Sequence, residues 1–103
     1  MSLMATETQR TNKIDLNIKR PNMYKVIFNN DEVTPAEFVA NLLMAIFHHS
    51  EERAVEITQE VHLHGRGCAG IYTFEVAEQK GIEVTVSARA QGFPLQVKVE
   101  ADA

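Results

Sequence analysis

A strand-like run and a helix-like stripe meet across Asn30-Asp31-Glu32-Val33-Thr34-Pro35, and this junction constrains the fold more than any other segment. Before it, Tyr24, Val26 and Phe28 alternate with Lys25 and Ile27, the period of a strand. After it, Phe38, Val39, Leu42, Leu43, Ile46 and Phe47 recur at helical spacing and predict one wide apolar face. Thr34-Pro35-Ala36-Glu37 reads as a capping box, with proline at the first helical position, where its missing amide costs nothing. The strand must end and the helix begin around a polar, acidic loop. That loop gathers amide oxygens and carboxylates at one edge of a small domain, and such an edge suits a bound cation.

The punctuation continues beyond the first helix. His48-His49 is expected to close it, where cationic side chains suit the dipole. Ser50, followed by Glu51 and Glu52, caps a second helix whose face carries Ala54, Ile57, Thr58, Val61 and His62. Gly65 is a natural C-cap. Gly65, Gly67 and Gly70 read as a flexible turn before a short strand over 69–72. Thr73 opens a third helix with Val76, Ala77, Val84 and Ala88, and Gly81 inside it costs about 1 kcal/mol relative to alanine. Leu95, Val97 and Val99 alternate with Gln96, Lys98 and Glu100, a last strand with one wet face. The order is β-α-α-β-α-β. Residues 1–21 read as a mobile N-terminal tail whose first three positions look like a cloning remnant. Residues 22–101 read as the folded domain. An edge strand through 14–18, carrying Ile14, Leu16 and Ile18, is the alternative for part of the tail.

The 103 residues suit one domain with one modest core. A net charge of −4 argues against a phosphate-binding surface, and with it against nucleic acid as a partner. No apolar run approaches the roughly 18 residues of a membrane span. The single cysteine, Cys68, rules out an intrachain disulfide and fits a reducing compartment.

Several constellations invite a chemical reading. Gly65-x-Gly67-x-x-Gly70 matches a dinucleotide fingerprint in spacing, but it follows a helix and precedes a strand, the reverse of the required context. His62, His64 and Cys68, with His48 and His49 upstream, could hold zinc or activate a thiol. A structural zinc site wants four ligands, commonly in paired spacings, and only one thiol is present. His62 sits beside Val61 on the apolar face of the second helix, where a packing role competes with a binding one.

Taken together these residues resemble the ClpS family of protease adaptors. The likeness rests on Met23-Tyr24-Lys25-Val26-Ile27, then Asn30-Asp31-Glu32-x-Thr34-Pro35-x-Glu37-Phe38-Val39. It continues through Ala54, Val61-His62, Gly65, Gly70-Ile71-Tyr72-Thr73, Glu75-Val76-Ala77-Glu78-x-Lys80, Ala88-Arg89 and Pro94-Leu95, and so covers about residues 21–100. The resemblance implies an α+β fold, a three-stranded antiparallel sheet with three helices on one face. It implies a monomeric, non-enzymatic, cofactor-free adaptor of a bacterial cytoplasm, with an organelle stroma as the other possible home. Such an adaptor binds proteins with N-terminal Leu, Phe, Tyr or Trp and delivers them to the N-terminal domain of a ClpA-type AAA+ unfoldase. By the same resemblance Asn30, Asp31, Glu32 and His62 hold the substrate α-amine. Thr34, Ala36, Val39, Thr58, Val61 and Leu95 line the pocket for its first side chain. Glu75 and Lys80 dock on the unfoldase, and the tail helps engage its pore.

The chemistry of an α-amine supports that division of labour. Its pKa of about 7.7–8.0 leaves it mostly charged at neutral pH, with three N–H donors that need acceptors. Three positions depart from the family's usual residues. Glu32 stands in place of aspartate, and Ala36 and Thr58 replace two methionines, the first of which gates the pocket. Ile and Val are therefore added to the expected N-terminal residues. The rival reading is a small zinc- or thiol-based protein using His62, His64 and Cys68.

Overall fold

The computed structural model describes residues 22–102, so the expectations for residues 1–21 lie outside it. The elements are β1 (Met23–Asn29), α1 (Ala36–Ala45), α2 (Glu51–His64), β2 (Arg66–Thr73), α3 (Phe74–Ala90) and β3 (Gln96–Ala101). The order matches the one read from the sequence. The sheet is antiparallel throughout, ordered β2-β1-β3, so the first strand is the middle one.

Period-2 patterning decides which face of β1 is buried. Val26 and Phe28 point into the core with Leu43, Ile57, Val84 and Leu95, all fully buried. Phe47 closes edge-on against Phe28, with ring centroids 5.6 Å apart. On the opposite face lies Ile27, only 4% exposed. Its cover is traceable. Arg66 pairs across from Asn29 and Glu100 across from Lys25, so both share the face of Ile27. Their ion pair, Arg66 Nη2 to Glu100 Oε1 at 2.7 Å, joins the two edge strands diagonally above it.

Three local expectations are corrected. The glycine-rich segment is not a flexible turn; beyond Gly65 it belongs to an eight-residue strand. Gly65 does cap α2, at φ +86°. Gly67 and Gly70, however, are strand residues where another group comes close. A Cβ on Gly67 would lie 2.8 Å from Val61 Cγ2, and one on Gly70 would strike the Tyr72 ring. Between them Ala69 forms a bulge: Val26 pairs with Gly70 and Ile27 with Cys68, which skips it. The Ala69 carbonyl accepts from His49 Nε2 at 2.6 Å.

The ends of α1 also differ. The Thr34–Glu37 capping box does not form; no side chain caps α1, and the Phe38 and Val39 amides donate to the Pro35 carbonyl. At the other end α1 stops at Ala45, short of the histidines. His48 takes a left-handed φ of 60°, while the His48 and His49 amides donate back to the Met44 and Leu43 carbonyls. Ser50 behaves as expected, its Oγ accepting from the Arg53 amide at 3.1 Å.

Candidate functional site

The loop between β1 and α1 is held at two points. The Asn30 amide donates to the Gly65 carbonyl at 2.9 Å, which ties the loop's start to the C-terminal cap of α2. Asp31 then organises the rest. Its Oδ1 accepts from the Val33 amide at 2.8 Å and the Thr34 amide at 2.6 Å, and its Oδ2 accepts from the Thr34 hydroxyl at 2.8 Å. Thr34 does not cap α1; its amide and its hydroxyl both donate to Asp31, which holds it in the loop one residue ahead of the helix's N-cap, Pro35. Burial alone would push the Asp31 carboxyl up. The Thr34 amide and hydroxyl, the Val33 amide and the positive charge of Arg89 outweigh it and hold the group below its ordinary value.

With Asp31 absorbed by the loop, three polar ends are left over. Among the described residues the side chains of Asn30, Glu32 and His62 make no hydrogen bond or ion pair with one another or with neighbours. All three border one hollow of about 370 Å³. Thr34, Ala36 and Val39 bound it from the loop and α1, and Thr58, Val61 and His62 from α2. Val39, Thr58 and Val61 are buried and form its apolar wall. The Thr58 hydroxyl donates to the Ala54 carbonyl of its own helix at 2.7 Å, which leaves its methyl as the remaining contact group. Gly67 sets the depth of the wall, because only a residue without Cβ lets β2 approach Val61 so closely.

The hollow therefore brings together every residue expected at the amine site and the side-chain pocket except Leu95. Leu95 is 1% exposed in the core, and its carbonyl accepts from Arg89 Nη1 at 2.9 Å. Of the two residues expected on the docking surface, Glu75 is exposed in the first turn of α3. Lys80 is half-buried and already engaged: its Nζ donates to the Ile46 carbonyl at 2.8 Å and lies over the Tyr72 and Phe47 rings.

A carboxylate, an amide oxygen and an imidazole at the rim of an apolar hollow can hold a small ammonium whose substituent goes inside. A neutral imidazole and an amide oxygen accept, and the carboxylate supplies countercharge. The zinc or thiol reading finds no such convergence. Among the described residues no three His, Cys, Asp or Glu side chains are placed to hold a metal ion. Cys68 Sγ donates to the Gly70 carbonyl at 3.5 Å, and burial pushes its thiol up, away from the reactive thiolate.

Sequence reasoning missed two features of the site. One is the structural role of Asp31, for which the spacing Asp31-x-x-Thr34 was a signal, since aspartate before a turn commonly accepts from amides that follow. The other is Gly67, an isolated glycine in what proved to be a strand.

Comparison with known proteins converges on one family. The family model described as ATP-dependent Clp protease adaptor protein ClpS matches residues 19–98. A protein of that name from Campylobacter jejuni subsp. doylei is 43% identical over 98 residues, 95% of this chain and 98% of the relative. One from Shewanella pealeana is 41% identical over 87 residues, 84% of this chain and 85% of the relative. The solved structure of Agrobacterium tumefaciens ClpS2 bound to L-phenylalaninamide is similar with a TM-score of 0.78 at 35% identity, over 81% of this chain and all of that one.

Proposed function

The chain belongs to the ClpS family of Clp protease adaptors, and we propose that within that family it recognises proteins by a large hydrophobic N-terminal residue and delivers them to a ClpA-type unfoldase. One observation carries the reading: Asn30, Glu32 and His62, unpartnered among the described residues, meet at the mouth of a hollow walled by Val39, Thr58 and Val61. The polar rim reads a free α-ammonium, and the apolar wall reads a first side chain such as Leu, Phe, Tyr or Trp. That a solved relative is bound to L-phenylalaninamide supports this pairing, because that molecule carries both a free amine and a benzyl group.

The acid assignments follow from the loop. Asp31 shapes the site by holding Val33 and Thr34, and Glu32 supplies the countercharge to the ammonium. Ala36 and Thr58 leave the mouth wide enough for the branched side chains of Ile and Val. The surface offered to the unfoldase lies on α3 around Glu75. Lys80 contributes by fixing that helix against the end of α1. A cytoplasmic setting accompanies this role.

The test is a binding titration with a peptide beginning in Phe, free or N-acetylated. Acetylation removes the charge and two donors and strands the rim groups, so affinity should fall by about tenfold or more. Asn30→Ala and His62→Ala should each weaken the free peptide by a similar factor. An acetylated peptide that binds as well as the free one would overturn the assignment.

A further inference from the structure

The Ala36–Thr58 pair borders more than the hollow just described. A second hollow, of about 460 Å³, is bounded by Ala36, Thr58, Gln59, His62 and Leu63. A third, of about 400 Å³, follows the furrow between α1 and α2 toward Met44 and Val55. All three meet at Ala36 and Thr58, because alanine ends at Cβ and threonine presents only a methyl once its hydroxyl has bonded to Ala54. Only the second hollow also shares His62 with the amine cradle. Its outer wall is Leu63, a large aliphatic side chain left 74% exposed at the C-terminal end of α2.

We propose that this second hollow is a subsite for the second residue of the bound peptide, and that it selects a large aliphatic side chain there. The proposal rests on the first hollow being the site of the N-terminal residue. The peptide's own geometry then places the next side chain. Consecutive Cα atoms are about 3.8 Å apart, and successive side chains of an extended chain point to opposite sides. With the ammonium at Asn30, Glu32 and His62 and the first side chain down against Val39 and Val61, the main chain leaves across the low edge made by Ala36 and Thr58. The second side chain, turned the other way, falls between His62 and Leu63. Covering Leu63 removes apolar surface from water on both partners, which favours Leu or Ile over Ser at that position. A longer side chain at position 36 would raise the edge between the two hollows and close the route.

The experiment compares two peptides, Phe-Leu and Phe-Ser at positions one and two and otherwise identical, each free and N-acetylated. In the unmodified protein the Phe-Leu peptide should bind about five- to tenfold more tightly. Leu63→Ser, a change on an exposed side chain, should reduce that ratio to below about twofold, and so should Ala36→Met. Equal binding of the two free peptides, with acetylation still weakening both by about tenfold or more, overturns the second subsite and leaves the N-terminal reading standing. A ratio that survives both substitutions places the second side chain elsewhere and also overturns it. If acetylation has no effect, the reading of the first hollow fails and the subsite fails with it.

Discussion

The ammonium of Lys80 donates to the main-chain carbonyl of Ile46 at 2.8 Å, linking α3 to the residue that caps the end of α1. It also lies 5.3 Å from the centre of the Tyr72 ring and 5.7 Å from that of Phe47. The carbonyl it meets belongs to a helix end with no cationic residue in its final turn, so Lys80 supplies from a distant helix what the sequence does not supply locally. Lys80→Ala should therefore destabilise the fold by about 1–2 kcal/mol, measured by urea unfolding. Glu75→Ala should change stability by less than about 0.5 kcal/mol while weakening association with the unfoldase. An unchanged unfolding midpoint for Lys80→Ala would show that the contact carries no net stability.

Two glycines should respond to alanine with opposite signs. At Gly67 the new Cβ would meet Val61 Cγ2 at 2.8 Å, so Gly67→Ala should cost about 1–3 kcal/mol and weaken peptide binding by displacing the pocket wall. At Gly81 it would meet Val97 and Val99 at 3.6 and 3.8 Å, ordinary contact distances. Gly81→Ala should therefore gain about 1 kcal/mol of helix stability. Denaturant melts of the two variants settle both signs.

Asp31 makes the loop sensitive to acid. Its carboxyl is held below the ordinary value of 3.8, so the stability it contributes is fully present above that value and is lost as pH falls through the depressed folded-state value. Asp31→Asn should be less stable than the parent at neutral pH, because the Thr34 hydroxyl and two amides lose a charged acceptor. The two melting temperatures should converge as pH drops below 3.8. A constant difference down to that range would show that the charge of Asp31 is immaterial.

Position 36 should control tolerance of branched N-terminal residues. Ala36→Met places a flexible chain over the mouth of the hollow, where it meets a branched Cβ before an unbranched one. Affinity for Ile- and Val-initiated peptides should drop by about tenfold relative to Leu, the scale of one or two lost methylene contacts. Titrating the Leu, Ile and Val peptides against both proteins gives the Leu/Ile ratio directly, and an unchanged ratio would remove position 36 from the gate.

Cys68 should label slowly. It is half-buried, hydrogen-bonded to Gly70 and pushed up by burial. At mildly alkaline pH a thiol-selective reagent should modify it several-fold more slowly in the folded protein than in urea. Equal rates would mean the thiol is freely accessible.

The order of elements was legible because each carried its own period and punctuation. The alternation at 24–28, the stripe at 38–47 and the Ser50 and Gly65 caps are local signals, and local signals survive into the structure. What failed was local chemistry overridden by a competitor. Thr34 had the spacing of a cap, but Asp31, three residues back, takes both its amide and its hydroxyl proton and holds it in the loop. Gly67 and Gly70 look like a turn until α2 and Tyr72 are seen against them. The partners of Lys80 and of His49 lie 34 and 20 residues distant, and no period in the sequence announces them. At the candidate site the polar, acidic loop was legible from residue types, whereas His62 entered only through the family resemblance. The hidden part was that Asp31 is taken up by the loop and Glu32 is not, because adjacent carboxylates look alike until one of them is hydrogen-bonded.

The position of β1 in the sheet has a mechanical consequence. At its start the Asp102 amide donates to the Met23 carbonyl at 2.9 Å, and at its end Asn29 runs straight into the loop that carries Asn30. A pull applied ahead of Met23 loads the strand lengthwise against two antiparallel neighbours at once. Both ladders then resist in shear, whereas an edge strand would peel from one partner, bond by bond. Tension entering at Met23 is therefore spent on the two ladders before it reaches the loop at Asn30.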